Sequence, residues 1–296
     1  MQQEAHAVVI GSGFGGLAAA IRLGARGYRV TVCEKLDKPG GRAYVYEQDG
    51  YVFDAGPTIV TAPFLLEELW QLCGRNMSDD IDLRAIDPFY RIRFDDGSHF
   101  DYSGDSAAMR AEIARFNPDD VKGYERFLEA SSLLYDIGFD QLLTVSFDSL
   151  GKMLRVLPDL VRAQFYRSVH SLVARYIKHP KLRQVFSFHP LLVGGNPYTT
   201  TAVYALIAQL ERRHGVHFAM GGTGSLVKGL ASLIESQGGT IRCSSPVKCI
   251  RVEGNRATGV ELDSGDTLDA DIVAVSYTHL RAHETASFIS YAVFCL

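Results

Sequence analysis

Cysteine is scarce in this chain, and the few cysteines follow no recognisable spacing. The 296 residues include five cysteines, an odd number, and no C-x-x-C pair occurs, so the sequence indicates neither a disulfide framework nor a zinc site. Scattered thiols of this kind are typical of a reducing cytoplasm. The five are Cys33, Cys73, Cys243, Cys249 and Cys295.

Long apolar runs and a positive net charge are also missing. The sequence has no stretch of about eighteen apolar residues that would form a membrane-spanning helix. A predicted strand begins at residue 7, so we expect no signal peptide. A net charge of −4 disfavours a general nucleic-acid-binding protein. Since 47% of the residues are hydrophobic, the chain can form a sizeable core, and its length predicts about two domains.

The sequence does contain a glycine-rich turn between a short apolar strand and a helix. Three glycines spaced G-x-G-x-x-G follow the apolar run 7–10, and an alanine-rich helix is predicted over 14–25. The first glycine permits a tight turn, the second lets the backbone approach a pyrophosphate, and the third lets the helix lie close to the strand. Such a helix N-terminus favours negative charge. The predicted contacts are Gly11, Gly13, Phe14, Gly15 and Gly16.

An acidic residue follows the second predicted strand, Arg29 to Cys33. Glu34 lies eighteen positions after Gly16, where a carboxylate accepts hydrogen bonds from an adenosine ribose. The same charge repels a 2′-phosphate, so the pattern disfavours NADP. Because strand, helix, second strand and acid are all in register, we interpret the motif as a dinucleotide site and not as an ordinary glycine-rich turn. Lys35, the next residue, is included among the predicted contacts.

A second glycine pair indicates which dinucleotide binds. Residues 38–42, Lys-Pro-Gly-Gly-Arg, add another turn and a cation, and residues 51–58, Tyr-Val-Phe-Asp-Ala-Gly-Pro-Thr, follow a predicted hairpin turn at 49–50. The pattern resembles the flavoprotein superfamily of amine oxidases, protoporphyrinogen oxidases and carotenoid desaturases; the plain alternative is a surface turn and a structural hairpin. The resemblance implies FAD. Its pyrophosphate is expected along Gly40, Gly41 and Arg42, and its flavin near Gly56, Pro57 and Thr58.

The secondary-structure pattern changes twice along the chain. Alternating residues over 88–102 predict a β-hairpin, helical spacing then dominates to about residue 214, and alternating β and α segments return at residue 221. We predict an α/β fold in which a Rossmann-like FAD-binding domain carries an inserted, largely helical substrate- and membrane-binding domain. The predicted boundaries are residues 1–86 and 220–275 for the FAD-binding domain and residues 87–219 for the inserted domain.

Charge is unevenly distributed, since residues 151–188 form a basic stretch in an acidic protein. They contain eight Lys or Arg residues and one acid, Asp159, and apolar residues recur between the charges at helical spacing. One interpretation is a basic amphipathic helix that lies in a membrane interface with its cations on anionic headgroups. The other is a core-facing helix whose basic face is solvated. The residues alone leave both interpretations open.

A more specific resemblance lies in the later part of the chain. Residues 187–197, Ser-Phe-His-Pro-Leu-Leu-Val-Gly-Gly-Asn-Pro, with 210–212 and 220–226, resemble the bacterial-type phytoene desaturases of carotenoid biosynthesis. The resemblance extends over about residues 7–275. It implies FAD-dependent dehydrogenation of phytoene, a C40 polyene, towards lycopene or neurosporene, with hydride transfer from CH–CH units to the flavin.

The same resemblance implies partners and a location. It implies an electron acceptor such as oxygen or quinone, and peripheral association of a cytoplasmic protein with the inner membrane surface. The membrane interpretation of the basic stretch is thereby favoured. In the wider superfamily the backbone around Val247 contacts the adenine of FAD; Val247 is also interpretable as a core strand residue, and the two roles are compatible.

The sequence indicates no catalytic acid, base or metal ligand. The flavin itself supplies the difficult chemistry in such a dehydrogenation, and the histidines have no ligand-like grouping. Asp54 is expected to fix its own hairpin and His189 to be structural. We therefore assign no catalytic residue and no metal. Two alternative functions stay open: another flavin oxidase of the superfamily, acting on amines or protoporphyrinogen, and a non-catalytic isoprenoid-binding protein of the same fold.

The end of the chain departs from the resembled family. Residues 276–285, Ser-Tyr-Thr-His-Leu-Arg-Ala-His-Glu-Thr, resemble translated sequencing-adapter read-through, whereas the family continues with an asparagine-containing turn and a long second half. That half returns a glycine-rich segment to the flavin and completes the substrate tunnel. We therefore expect residues 276–296 to be a non-native tail, and the truncated chain itself to be inactive.

Overall fold

The computed structural model describes residues 5–138 and 157–276. The chain divides into two compact units: unit 1 comprises Met1–Arg84 and His217–Leu296, and unit 2 comprises Ala85–Val216. These divisions fall two and three residues before the boundaries predicted from the sequence. Within the predicted tail, Ser276 donates its N–H to the carbonyl of Ile10 (2.9 Å) and so continues the last strand. Residues 277–296 lie outside the described residues.

Strands and helices alternate in unit 1, and helices dominate unit 2. The strands are β1 His6–Ile10, β2 Arg29–Cys33, β3 Val45–Gln48, β4 Tyr51–Asp54, β5 Leu83–Ala85, β6 Tyr90–Arg93, β7 His99–Tyr102, β8 His217–Ala219, β9 Thr240–Arg242, β10 Val247–Glu253, β11 Arg256–Leu262, β12 Thr267–Asp269 and β13 Ile272–Val275. The helices are α1 Phe14–Ala25, α2 Pro63–Leu72, α3 Ser106–Phe116, α4 Asp120–Tyr135, α5 Val169–Tyr176, α6 Pro180–Ser187, α7 Leu206–His214 and α8 Thr223–Ser236.

A four-stranded parallel sheet forms the centre of unit 1, in the order β13-β1-β2-β9. Strand β1 is buried along its whole length because both faces of the sheet are covered. Ala7 and Val9 pack with residues of α1, α2 and α8, whereas Val8 and Ile10 pack with residues of the antiparallel sheet β10-β11-β12. Since β1 and β2 are parallel neighbours and α1 follows β1, the carboxyl ends of both strands lie beside the N-terminus of α1.

Unit 2 is built around an aromatic core. The predicted hairpin over 88–102 is present as strands β6 and β7. Phe186 of α6 lies with its ring centroid 6.0 Å from that of Phe100 in an edge-to-face arrangement, and 5.0 Å from that of Tyr124 on α4. Such aromatic pairs add stability beyond the area they bury. The helices of unit 2 therefore pack against one shared apolar cluster.

A buried polar network lies in unit 2. Glu211 on α7 and His189 are both inaccessible to solvent, and 3.1 Å separates His189 Nε2 from Glu211 Oε2. The Tyr90 hydroxyl donates to Glu211 Oε1 (2.6 Å). Burial, followed by the charge of the Glu211 carboxylate, raises the pKa of Tyr90 far above its usual range, so the phenol keeps its proton and remains a donor. The network ties β6 to α7 and to the short helical turn His189–Val193.

Helix α5, within the basic stretch, faces the protein core. Val169, Leu172 and Val173 are completely buried, so the membrane interpretation is wrong for this helix and the core-facing interpretation is correct. Residues 151–156 lie outside the described residues, while Leu157 and Val161 are 40% and 50% exposed. Within the described ranges, no helix has the length and apolar character needed to cross a bilayer.

Candidate cofactor site

The first glycine turn leaves an open space at the N-terminus of α1. Strand β1 ends at Ile10, and the N–H of Gly11 donates to the carbonyl of Cys33 (2.8 Å), which fixes the turn to β2. A Cβ atom on Gly16 would lie 1.9 Å from the carbonyl oxygen of Gly11, so only glycine lets α1 approach this closely. A Cβ atom on Gly13 would meet no neighbouring atom within 4 Å. The motif assigns this open space to a pyrophosphate.

The second glycine turn lies directly against the first. The N–H of Gly40 donates to the carbonyl of Ser12 (3.0 Å), and a Cβ atom on Gly41 would lie 3.0 Å from the Cα of Gly13. The φ of Gly41 is +58°, a left-handed conformation that glycine adopts readily. Arg42 follows with an exposed side chain. Two adjoining turns and a cation thus flank the first turn of α1, whose N–H groups have no intrahelical acceptors.

Glu34 is almost completely buried, with 4% of its surface exposed. Its Oε2 accepts hydrogen bonds from the N–H (2.8 Å) and the hydroxyl (2.6 Å) of Ser12, and its Oε1 accepts one from the N–H of Leu36 (3.0 Å). The carboxylate thus holds the middle of the G-x-G turn, a role that sequence reasoning missed. Because each carboxylate oxygen accepts about two hydrogen bonds, Oε1 retains capacity for the predicted ribose contact. Lys35 beside it is exposed.

The segment after β4 lies between the second glycine turn and helix α8. A Cβ atom on Gly56 would be 2.3 Å from the carbonyl oxygen of Arg42. The prediction that the Asp54 side chain fixes its own hairpin is wrong. Its Oδ2 atom instead accepts a hydrogen bond from the N–H of Thr223 (3.1 Å), at the start of α8. The one sequence signal for this contact was the glycine-rich run 221–224, which reads as a turn before a helix.

An apolar cavity of about 130 Å³ adjoins these segments within unit 1. Aliphatic residues of α1, α2 and α8 line it, together with Phe14 at the start of α1 and Pro57 after β4. Arg22 is the charged residue of this lining, which otherwise consists of apolar residues and threonines. Pro57 and Thr58, which the resemblance places near the flavin, are exposed. Polar turns and an apolar cavity therefore lie side by side, as in many cofactor sites.

Val247 is the predicted contact that lies farthest along the chain from the glycine turns. It begins β10 and pairs with Leu262 of β11. Its side chain is partly buried against the cluster that contains Val8 and Ile10 of β1. The structure therefore shows the core role of Val247, and the adenine contact stays a prediction.

The residues of the two turns fit a dinucleotide cofactor. Gly13 leaves the space that a pyrophosphate occupies, Arg42 supplies a cation, and Glu34 supplies a buried acceptor. A bound phosphate would also accept hydrogen bonds from the N–H groups of the first turn of α1. In the part of the chain that the structure describes, no three His, Cys, Asp or Glu side chains are grouped as a metal site requires.

Known proteins are similar in sequence to this chain over most of its length. The chain is 50% identical over 268 residues to a lycopene-forming phytoene desaturase of Paracoccus sp. (strain N81106 / MBIC 01143), which covers 90% of this chain and 54% of that protein. It is 47% identical over 280 residues to a neurosporene-forming phytoene desaturase of Cereibacter sphaeroides, covering 93% of this chain and 54% of that protein. The chain thus spans about half the length of the curated relatives it matches.

A solved structure gives the fold independently. A triple mutant of putrescine oxidase, from a redesign of cofactor binding, superposes with a TM-score of 0.63 at 19% identity, covering 94% of this chain and 60% of that chain. This likeness confirms the predicted α/β fold, and the relatives confirm the resemblance to phytoene desaturases. Residues 14–288 match the family described as flavin containing amine oxidoreductase, which confirms the FAD prediction. With its two adjoining glycine turns, the chain therefore belongs to the flavin-containing amine oxidoreductase family.

Proposed function

We propose that this chain carries the FAD-binding part and a substrate-facing part of a phytoene desaturase. Such an enzyme dehydrogenates the C40 polyene phytoene towards lycopene or neurosporene and passes the electrons to an acceptor such as oxygen or quinone. The observation that carries the proposal is the pair of glycine turns around the open space at Gly13. Relatives that form lycopene and relatives that form neurosporene support the substrate class.

The chain's own residues bind and orient the cofactor. When bound, the flavin would supply the oxidising chemistry, as acceptor of the hydride and the proton that a CH–CH unit of the substrate loses when it becomes a C=C unit. Gly13 and the N-terminus of α1 hold the phosphates, Arg42 neutralises their charge, and Glu34 holds the ribose side. The lining of the apolar cavity, within the described residues, contains no carboxylate or imidazole. We therefore assign no proton-carrying role to the residues of this lining.

The first test compares FAD binding and product formation between the purified chain and a version extended to the length of its relatives. We expect the chain itself to hold little FAD, and the extended version to bind one FAD with a visible flavin spectrum. We expect a version extended to the length of its relatives to form coloured polyenes in phytoene-accumulating cells. Oxidation of amines or protoporphyrinogen without any polyene product would favour another flavin oxidase. An extended version that binds isoprenoids and no flavin would favour the non-catalytic alternative.

We further propose that an exposed apolar surface of unit 2 enters the membrane interface. Its residues come from two stretches of the chain, 157–166 and 191–198. These stretches are joined near their ends, where the N–H of Val169 donates to the carbonyl of Thr200 (3.0 Å) and the ring centroids of His170 and Tyr198 are 4.4 Å apart. Arg162 is exposed beside this surface, and an apolar surface with flanking cations suits anionic headgroups. The exposed apolar residues are Leu157, Val161, Tyr166, Leu191, Leu192, Val193 and Tyr198.

Replacing two leucines of this surface is expected to release the protein from membranes. Leu191 and Leu192 are 60% and 45% exposed, and a fully buried leucine contributes about 1.5–3 kcal/mol. Leu191→Asp with Leu192→Asp should therefore lower partition onto vesicles containing anionic lipid by roughly tenfold or more. Flotation of vesicles measures the bound fraction. Leu72→Asp is the matched control, because Leu72 is 44% exposed but lies in unit 1; equal losses in both variants would contradict the proposal.

A further inference from the structure

Two side-chain hydrogen bonds join the start of helix α8 to the segment after β4. The N–H of Thr223 donates to Asp54 Oδ2 (3.1 Å). The hydroxyl of the same threonine donates to the carbonyl of Pro57. Thr223 thus holds both the end of β4, at Asp54, and the predicted flavin contact Pro57, although 169 positions separate Thr223 from Asp54 in the sequence.

Close packing on both sides leaves this segment little freedom. A Cβ atom on Gly222 would lie 2.3 Å from Asp54 Oδ2, and one on Gly224 would lie 2.8 Å from Val45 Cγ2 in the hairpin. On the other side, Gly56 packs against the backbone of the second glycine turn. The segment is therefore packed on one side against the start of α8 and on the other against the turn that is predicted to hold the pyrophosphate.

The Asp54 carboxylate is held there at an energetic cost. Its Oδ1 atom is buried and accepts no hydrogen bond from any described residue. A buried acceptor without a donor destabilises a fold, and the positive end of the α8 dipole offsets part of that cost. A buried acceptor left without a donor calls for an explanation, and a role of Asp54 in the function of the segment it holds provides one.

We infer that Asp54 and Thr223 are positioning residues for the cofactor. By fixing the backbone from Asp54 to Pro57, they set where Gly56, Pro57 and Thr58 stand against the flavin end of the dinucleotide. The N-terminus of α8 is thereby part of the cofactor site, through its contact with this segment. This inference rests on the proposed FAD site and adds to it two residues that the glycine motifs do not contain.

The test compares two threonine variants with a matched control. Thr223→Val removes the hydroxyl that bonds Pro57, and Thr223→Ser keeps it. Thr201→Val removes the same kind of bond, from a threonine hydroxyl to the carbonyl of Phe165, in unit 2. We expect Thr223→Val to raise the Kd for FAD about 3- to 10-fold, the ratio for one lost hydrogen bond. Thr223→Ser and Thr201→Val should keep the parental Kd.

Two further measurements separate positioning from general stability. Hydrogen exchange of the backbone amides over 55–60, measured without FAD, should become faster in Thr223→Val alone. The visible circular dichroism of bound FAD should change in the same variant, since it reports the surroundings of the flavin. Asp54→Ala should act like Thr223→Val, whereas Asp54→Asn retains an oxygen for the Thr223 N–H and should restore the parental values.

Each other outcome has a definite meaning. Unchanged Kd, exchange and dichroism in Thr223→Val would overturn the inference and leave the proposed function in place. The same holds if Thr223→Ser behaves like Thr223→Val, because the hydroxyl would then not be responsible. The parent of all these variants is the version extended to the length of its relatives; if that parent binds no FAD, both the proposed function and the inference fail. Should Asp54→Ala not fold, the threonine variants still decide the matter.

Discussion

Gly13→Val is expected to abolish FAD binding while leaving the free energy of unfolding of the chain almost unchanged. A Cβ atom at Gly13 meets no neighbouring atom within 4 Å, and the backbone there, with φ −65° and ψ 172°, is accessible to any residue. The added side chain would instead fill the space of the pyrophosphate. Losing about two charge-assisted hydrogen bonds to phosphate corresponds to a Kd roughly a hundredfold or more higher.

Two controls separate this effect from damage to the fold. Ala25→Val adds the same kind of side chain at the exposed C-terminal end of helix α1 and should leave FAD binding unchanged. Gly16→Ala should destabilise the chain by about 1–3 kcal/mol, because its Cβ would lie 1.9 Å from the Gly11 carbonyl oxygen. Titration with FAD and thermal unfolding measure the two quantities. Parental FAD affinity in Gly13→Val would show that the glycine turns do not hold the pyrophosphate.

Glu211→Ala is expected to destabilise unit 2 strongly. Removing the carboxylate leaves the Tyr90 hydroxyl and His189 Nε2 buried without their partner, and each buried polar group left unpaired costs about 1–3 kcal/mol. Glu211→Gln keeps an acceptor for Tyr90 and a polar group facing His189, so the loss should be smaller. Unfolding by denaturant, monitored through the signal of the aromatic core, measures the free energy of unfolding.

The matched control is an exposed glutamate of the same unit. Glu125 on α4 forms an ion pair with Arg110 at 3.0 Å, in which the glutamate side chain is 46% exposed. Exposed pairs of this type contribute about 0–1 kcal/mol, so Glu125→Ala should have little effect. If Glu211→Ala and Glu125→Ala cost the same, the network in unit 2 is not a stabilising feature and the buried geometry has another cause.

Local features of the cofactor site could be predicted from the sequence because they depend on neighbouring residues. Helix α1 over 14–25 and strand β2 over 29–33 agree with their predicted bounds, since an apolar pattern and a glycine turn determine both. The contact between Ser12 and Glu34 could not be predicted. Its two residues are 22 positions apart, and a single sequence does not show which polar groups meet across such separations. The hydrogen bond between Thr223 and Asp54 could not be predicted for the same reason.

The basic stretch shows a second limit of sequence reasoning. Apolar residues at helical spacing indicate that one face of a helix avoids water, but the pattern is the same whether protein or lipid covers that face. In α5 the protein core covers Val169, Leu172 and Val173. Leu157 and Val161 share the same spacing and remain exposed. Which covering applies is decided by tertiary packing, which the periodicity does not contain.

Because unit 1 is formed from two separate stretches of the chain, we expect it to complete its fold during synthesis only after unit 2 has been made. Strand β1 is bonded to residues from the stretch that follows unit 2 in the sequence. The N–H of His6 donates to Asp271 Oδ2 (2.9 Å), 265 positions away. Unit 2 is one continuous stretch, so the ribosome releases all of it before β9 and β13 exist. Until then β1 and β2 lack both outer neighbours, and open strand edges invite pairing with other chains. The glycine turn of the cofactor site is thus synthesised first, but the sheet that carries it is completed last.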